Sequence, residues 1–543
     1  MPSRMPPNAA LPPRGTALLL ALVTALLLFR LGAAPLIGPD EPRYTRVAVE
    51  MHRRGDWILP TLQGQPWLEK PALYYWMAGA AFSIFGETEA AARLPSVLAA
   101  VALTGLTALV GARLYGGAAG LHAGFILGTS LLTFAYGRAA AMDILLAATV
   151  SASIGLVGLR LVGIAGPMAV IAAGACAGLA LLAKGPLGAL LPSLVALAYL
   201  AAAPDRGQSW RRIAARLPLA IVAMVVVAAP WYGAILAVQG RAFVDVFLLN
   251  HNLARFTSTV HNHPGPFFYY VPVLLAGLYI WSGLTLPGLA SLRRRVPADL
   301  FVLCWLVAPL VFFSAAASKL PGYILPCLPP LAIAAGRAAD RLVHGGRPGG
   351  GARVAGLVTV ALGAVVAAAP IVLRQMREPL WTVVVPPATW ALLASLAVSR
   401  RLSVDPAGAL RILRVGAAGL LLLLTSAAPP LLTRRESGRD LFRHTGGQEV
   451  LAWHAWRTAW MAGYFYNDGK VREVASLAEI TAAAAAGPVL VLCGPGELRV
   501  LRRLPGYAAS VVAEGPREQA LVRLIRGTTV GAAAERTEAR PSS

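Results

Sequence analysis

Long apolar runs alternate with short polar turns along most of the chain. A window of roughly 19 residues separates about thirteen such runs. They lie near residues 16–34, 94–113, 117–136, 141–161, 167–183, 186–203 and 214–238, then 267–290, 299–317, 322–339, 353–373, 380–398 and 411–432. Each is long enough to cross a hydrocarbon core about 30 Å thick, although several are short or broken by Pro or Gly. The predicted fold class is an all-α polytopic membrane protein of about 13 transmembrane helices over residues 1–432. The first run reads as a retained span, because no clear small-x-small cleavage site precedes Pro35.

Two stretches depart from this pattern. Loop 35–93 is long and still periodic. In residues 41–54, Tyr44, Val47, Ala48 and Met51 share one helical face, with Arg46, Glu50, Arg53 and Arg54 elsewhere, which predicts an amphipathic helix lying on the membrane surface. Residues 72–85 are aromatic-rich and, at 14 residues, short for a span; they predict an interfacial or partly buried helix. After residue 433 the period changes. Short β-type runs at 450–453, 488–492, 510–512 and 520–525 alternate with helical stretches and Gly/Pro punctuation. This predicts a small α/β domain over 433–529. The small, polar stretch 530–543 reads as a disordered tail.

Composition sharpens the class. The 543 residues are 57% hydrophobic and 13% charged, whereas an ordinary soluble chain is about 25% charged. The net charge of +23 does not call for nucleic acid, because most arginines sit in turns between apolar runs, where they set topology. The four cysteines, Cys176, Cys304, Cys327 and Cys493, show no metal or disulfide spacing. Arginine also gives an orientation. With the N-terminus inside, Arg206–Arg216, Arg293–Arg295, Arg337–Arg353 and Arg400–Arg414 fall on the cytoplasmic side, and loop 35–93, loop 240–266 and the C-terminal domain fall outside.

The remaining charges collect at the outer ends of spans: Asp40 and Glu41, Glu69 and Lys70, Asp143, Lys184, His251 and Arg255, and Lys319 with Tyr323. An unpaired charge at membrane depth costs several kcal/mol, so charged residues beside a membrane cleft are functional candidates. Structural alternatives stand beside some of these. Asp40, Glu41 and Pro42 suit a helix N-terminus, with Asp as cap. Lys184, in AKGP, joins two apolar runs and can snorkel. Trp67, Trp76, Trp231, Tyr269 and Tyr270 suit an interfacial belt.

GPDEPRY (38–44), EMHRRGDWILP (50–60), WLEKP (67–71) and YYW (74–76) resemble the ArnT-like glycosyltransferases, membrane transferases of the GT-C fold related to protein O-mannosyltransferases. The likeness continues through Arg93, Asp143, AKGP (183–186), PWY (230–232), FLLNHNLARF (247–256), HPGPFFYYVP (263–272) and FFSAAASKLPGYILP (312–326). It implies a bacterial inner-membrane enzyme that takes a sugar from a polyprenyl phosphate, undecaprenyl phosphate in its best-known members, to a lipid or glycan acceptor at the periplasmic face. For those members the transfer is of 4-amino-4-deoxy-L-arabinose to lipid A. It also implies that Lys70, Arg255 and Tyr323 contact the donor phosphate. Lys319, four residues before Tyr323, would share that role if the stretch is helical. Asp40, with Glu41 beside it, is implied as the acid of the first outer loop. It would act as general base for a hydroxyl acceptor or orient the sugar for an acceptor that is already anionic. Asp143 could pair with an amino-sugar ammonium. Glu69 and His251 match a zinc site, and two ligands make an open one; the alternative for His251 is a hydrogen-bonded loop histidine. Two other readings stay open: a sibling transferase acting on a hydroxyl of a protein, glycan or lipid, and a lipid or sugar transporter. Charges at outer span ends and the absence of two similar halves speak against the transporter.

Overall fold

The computed structural model describes residues 10–247, 265–344 and 350–527. Every apolar run predicted above is occupied by helix within them. Among the described residues eight helical stretches are long and apolar enough to cross a membrane: Glu89–Tyr115, Asp143–Leu161, Leu217–Gln239, Tyr270–Ala290, Pro297–Ala315, Arg353–Gln375, Trp381–Arg401 and Pro406–Glu436. The chain is a multi-pass membrane protein.

The first part of the chain defines α1 (Pro13–Leu28), α2 (Asp40–Arg54), the hairpin β1 (Thr61–Leu62) and β2 (Gln65–Pro66), and α3 (Leu73–Phe85). Next come α4 (Glu89–Tyr115), α5 (Gly117–Gly128), α6 (Leu131–Gly137), α7 (Asp143–Leu161), α8 (Met168–Lys184), α9 (Leu187–Ala202), α10 (Arg206–Ala214) and α11 (Leu217–Gln239). The run predicted as one span at 117–136 is two helices, α5 and α6, bent by 59°. Ser130 makes the break by accepting the Thr133 N–H as the N-cap of α6. The run at 322–339 likewise opens with a 3₁₀ turn, Pro321–Cys327, before its α-helix Leu328–His344.

Small residues let these helices approach closely, as apolar helices in lipid require. A Cβ at Gly174 of α8 would fall 2.0 Å from the Ala220 carbonyl oxygen of α11, and one at Gly178 would fall 2.7 Å from that of Met224. A buried carboxylate shows how charge is satisfied here. Asp299 is fully buried. It accepts from Tyr115 at 2.8 Å, from Arg337 at 2.5 Å and from the Arg293 N–H at 2.9 Å, which ties three helical segments at one point.

Loop 35–93 holds both predicted helices, but α2 does not lie on a surface. Val47, Ala48 and Met51 are buried, and so is Glu50, which the amphipathic reading put on the polar side. The Glu50 carboxylate accepts from the Thr61 hydroxyl (2.7 Å), the Gln63 N–H (2.8 Å) and the Gly64 N–H (3.1 Å). It is the acceptor around which the β1–β2 turn folds. Sequence periodicity placed it outside because a buried carboxylate with three donors looks, in one dimension, like a solvated one.

A second compact unit is made of Ala34–Arg46 together with the chain from Pro429 onward. Its core is a five-stranded sheet of order β4-β3-β5-β7-β6. The strands are β3 (Val450–Trp453), β4 (Val471–Val474), β5 (Val489–Cys493), β6 (Tyr507–Glu514) and β7 (Ala520–Arg526). Strands β4 and β5 flank β3 in parallel, while β7 runs antiparallel to both β5 and β6. Four strands fall on the predicted runs; β4, with two charged residues among four, gave no apolar signal. The predicted tail 530–543 lies outside the described residues.

Replacing Glu50 by Ala leaves three donors without their acceptor. The expected loss is about 1–3 kcal/mol of stability, read as a lower Tm of the detergent-solubilised protein, while Glu50→Gln retains part of it.

Candidate active site

Helix α7 begins at Asp143 and helix α8 ends at Lys184, so two apolar helices packed side by side bring opposite charges to the same end. The Lys184 ammonium lies 2.5 Å from the Asp143 carboxylate, with both side chains largely shielded, 13% and 22% exposed. Each charge also suits its helix end, an acid in the first turn and a base in the last. The AKGP motif explains how Lys184 is held. Gly185 stops α8 in a left-handed conformation, φ +84, and Pro186 starts the next helix. A Cβ at Gly185 would lie 2.6 Å from the Phe247 ring.

Tyr323 completes the cluster. Its ring lies under Lys184, with the ammonium 4.8 Å from the centroid, and is supported by Phe313 at 5.8 Å. Gly322 permits this approach: a Cβ there would sit 2.7 Å from the Tyr136 ring and 2.8 Å from the Asp143 carboxylate. Four elements, α6, α7, α8 and the 3₁₀ turn, therefore supply Tyr136, Asp143, Lys184, Gly322 and Tyr323 to one place. Tyr136 and Gly322 were not anticipated; they lie in separate apolar runs, and only the glycine of SKLPGY hinted at close packing.

Lys319 does not share a helix with Tyr323. Leu320 is extended and Pro321 opens the turn, because the residue before a proline is driven from the α region. The Lys319 side chain is buried, and its ammonium donates to the Ala316 carbonyl at 2.7 Å. Lys70 is buried too, just before α3, with its ammonium 3.3 Å from the Glu69 carbonyl oxygen. Trp231 and Tyr270, assigned above to an interfacial belt, are buried instead; the Trp231 indole donates to the Ile58 carbonyl at 3.0 Å. Arg255 and His251 lie outside the described residues. Among the described residues no three His, Cys, Asp or Glu side chains converge as metal ligands.

Asp40 and Glu41 belong to the second unit. They open α2, but Asp40 is not the capping group expected. Glu41 reaches back to accept the Ile37 N–H at 2.7 Å. The Asp40 carboxylate pairs with the guanidinium of Arg43, which also donates to the Pro39 carbonyl at 3.1 Å. The Asp40 side chain stays 53% exposed while that of Arg43 is 10% exposed. The result is an accessible carboxylate oriented by a buried cation. In the same unit, burial pushes the Cys493 thiol up to about 12, with Glu497 adding to the shift; Cys493 packs the core of the sheet.

The chain has a solved counterpart. Its fold matches ArnT from Cupriavidus metallidurans bound to undecaprenyl phosphate, with a TM-score of 0.77, 24% identity and coverage of 93% of this chain and 97% of that one. The chain has the GT-C fold. Residues 69–232, which carry Lys70, Asp143 and Lys184, match the family model described as dolichyl-phosphate-mannose-protein mannosyltransferase. Among curated proteins it is 35% identical to an undecaprenyl phosphate-alpha-4-amino-4-deoxy-L-arabinose arabinosyl transferase of Serratia proteamaculans, over 58% of each chain. It is 33% identical to the enzyme of the same name from Pseudomonas aeruginosa, over 63% of this chain and 62% of that one. The matched region thus spans about three fifths of the curated relatives' length.

The shielded pair predicts strong coupling between its members. Asp143→Asn and Lys184→Met should each destabilise by about 3–5 kcal/mol, and the double variant by clearly less than the sum. Thermal unfolding in detergent measures this; additive losses would mean the two charges act separately.

Proposed function

We propose that the chain is a glycosyltransferase of the bacterial inner membrane that moves a sugar from undecaprenyl phosphate to an envelope acceptor at the periplasmic face. The N-terminus is cytoplasmic and the C-terminal domain periplasmic in this reading. The observation that carries it is the convergence of Asp143, Lys184 and Tyr323 at one end of apolar helices, in a chain with the fold of a protein solved with undecaprenyl phosphate. A cluster of fixed charges at a helix end suits an anionic headgroup whose tail stays in lipid.

The chemistry follows from the leaving group. The acceptor oxygen attacks the anomeric carbon, and the bond from that carbon to the phosphate oxygen breaks. The electron pair leaves with undecaprenyl phosphate, so negative charge grows on the phosphate in the transition state. Preorganised cations aimed at that charge lower the barrier without reorganising. Lys70, Arg255 and Lys319 have that role, Arg as a planar fork and Lys as a point charge, and the Tyr323 hydroxyl adds a neutral donor. Asp143, already holding Lys184, can accept from an amino group on the sugar, which fits 4-amino-4-deoxy-L-arabinose as donor sugar and lipid A phosphate as acceptor. Asp40 takes the proton of a hydroxyl acceptor, or orients the sugar when the acceptor is a phosphate. A zinc ion held by Glu69 and His251 would add a Lewis acid near the phosphate; loss of turnover on chelation, restored by Zn²⁺, is what that pair expects. The second reading, a sibling transferase for a hydroxyl acceptor, is favoured by the exposure of the Asp40 carboxylate.

Consumption of undecaprenyl-phosphate sugar in membranes tests the proposal. Lys70→Ala should cut turnover about 100-fold or more, the size typical of a lost transition-state donor; unchanged turnover would contradict it. Asp40→Asn separates the acceptors. A hydroxyl acceptor predicts a loss of about 10²–10⁴-fold. A phosphate acceptor predicts less than about tenfold.

A further inference from the structure

The second unit joins two pieces of chain that are nearly 400 residues apart in sequence, and the contacts between them converge on one loop. That loop, Tyr466-Asn467-Asp468-Gly469, precedes β4. It is rigid for a stated reason. The buried Asn467 side chain accepts from the Thr445 hydroxyl at 2.7 Å and donates to the carbonyls of Gln448 (2.8 Å) and Lys470 (2.7 Å). Its neighbours on either side hold the segment that contains Asp40. The Leu36 N–H donates to the Tyr466 hydroxyl at 2.7 Å. The Arg46 guanidinium meets the Asp468 carboxylate at 2.6 Å, with the arginine side chain 13% exposed. Gly469 is left-handed, φ +78, and a Cβ there would lie 3.0–3.1 Å from three atoms of the same guanidinium. Upstream of the sheet, the Gly38 N–H donates to the Glu436 carbonyl at 3.1 Å.

Asp40 therefore lies between anchors at Leu36 and Gly38 on one side and Arg46 on the other, all of which end on the C-terminal part of the unit. The Glu41–Ile37 bond and the Arg43 pair then fix the carboxylate within the segment. We propose that Tyr466, Asp468 and Gly469 are positioning residues: the C-terminal α/β domain is a clamp that sets the place of the Asp40 carboxylate and thereby acts on the transfer step. The functional part of this inference rests on the role given to Asp40 above; the clamp itself stands on the contacts alone. The contacts named above act on the segment that carries Asp40, so the clamp in this proposal governs the rate of transfer rather than donor affinity. Small misplacements of a reacting group lose rate steeply, about 100-fold for 1 Å.

Two measurements on the full-length protein in nanodiscs test this separately. Hydrogen exchange over residues 36–46 reads the clamp. Asp468→Ala and Gly469→Val should each speed exchange of those amides about tenfold or more, Tyr466→Phe should do so at Leu36, and Arg46→Asp combined with Asp468→Arg should restore protection. The tenfold criterion corresponds to about 1.4 kcal/mol of local opening. Unchanged exchange overturns the clamp whatever the enzyme does. Steady-state kinetics with undecaprenyl-phosphate sugar reads its function. Asp468→Ala should lower kcat about 10–100-fold with KM for the donor within about threefold, the charge-swapped pair should recover most of it, and Asp468→Ala should cost nothing further in an Asp40→Asn background. Loosened exchange with unchanged kcat, or losses that multiply in that background, overturns the positioning role. If Asp40→Asn itself is silent, the role given to Asp40 fails, and the exchange data still decide the clamp.

Discussion

The structure depends on opposite charges being brought into partnership where water is scarce. Asp143 and Lys184 close the same end of two adjacent apolar helices. Either alone would be an uncompensated charge beside lipid, costing several kcal/mol. Together they tolerate burial and hold Tyr323 in place through the ammonium. The same rule recurs at Asp299, whose carboxylate is saturated by Tyr115, Arg337 and the Arg293 N–H, and at Glu50, saturated by the hairpin turn. What differs is openness. Asp299 and Glu50 are closed and serve the fold, whereas Asp143 and Lys184 retain some exposure at a helix end.

The two compact units differ in the charged groups they carry. The helical unit holds Lys70, Lys319 and the Asp143–Lys184 pair, proposed above to meet a lipid phosphate. The α/β unit holds Asp40, an exposed carboxylate of the kind that handles an acceptor. A reaction between a membrane-held donor and an envelope acceptor has this asymmetry built in: one substrate must be anchored by charge at the bilayer surface, and the other must meet a correctly placed acid or base.

Hydrophobic period and Gly/Pro punctuation made most of the fold legible. They located the spans and four of the five strands, because burial in lipid or in a sheet leaves a one-dimensional trace. Partnership left none. That Glu50 points inward, that Asp299 anchors three segments, that Ser130 breaks an apolar run, and that Tyr136 and Gly322 wall the Asp143 site all depend on which segments meet. Charge position did signal the site, since Asp143, Lys184 and Tyr323 stand out against apolar neighbours. Spacing misled at Lys319, where an i, i+4 relation was broken by Pro321, and at Asp40, where Glu41 rather than Asp40 serves the backbone ahead of the helix.

The central claim is that separate stretches of the helical unit form one receptor for a polyprenyl phosphate head. Photocrosslinking with a polyprenyl phosphate labelled at its headgroup, followed by peptide mapping, tests it most directly. The account predicts that the label falls both on the peptide around Lys70 and on the peptide spanning Lys319 to Tyr323, with unlabelled undecaprenyl phosphate competing at each. Labelling confined to other parts of the chain, or to one of these peptides without competition, would contradict it.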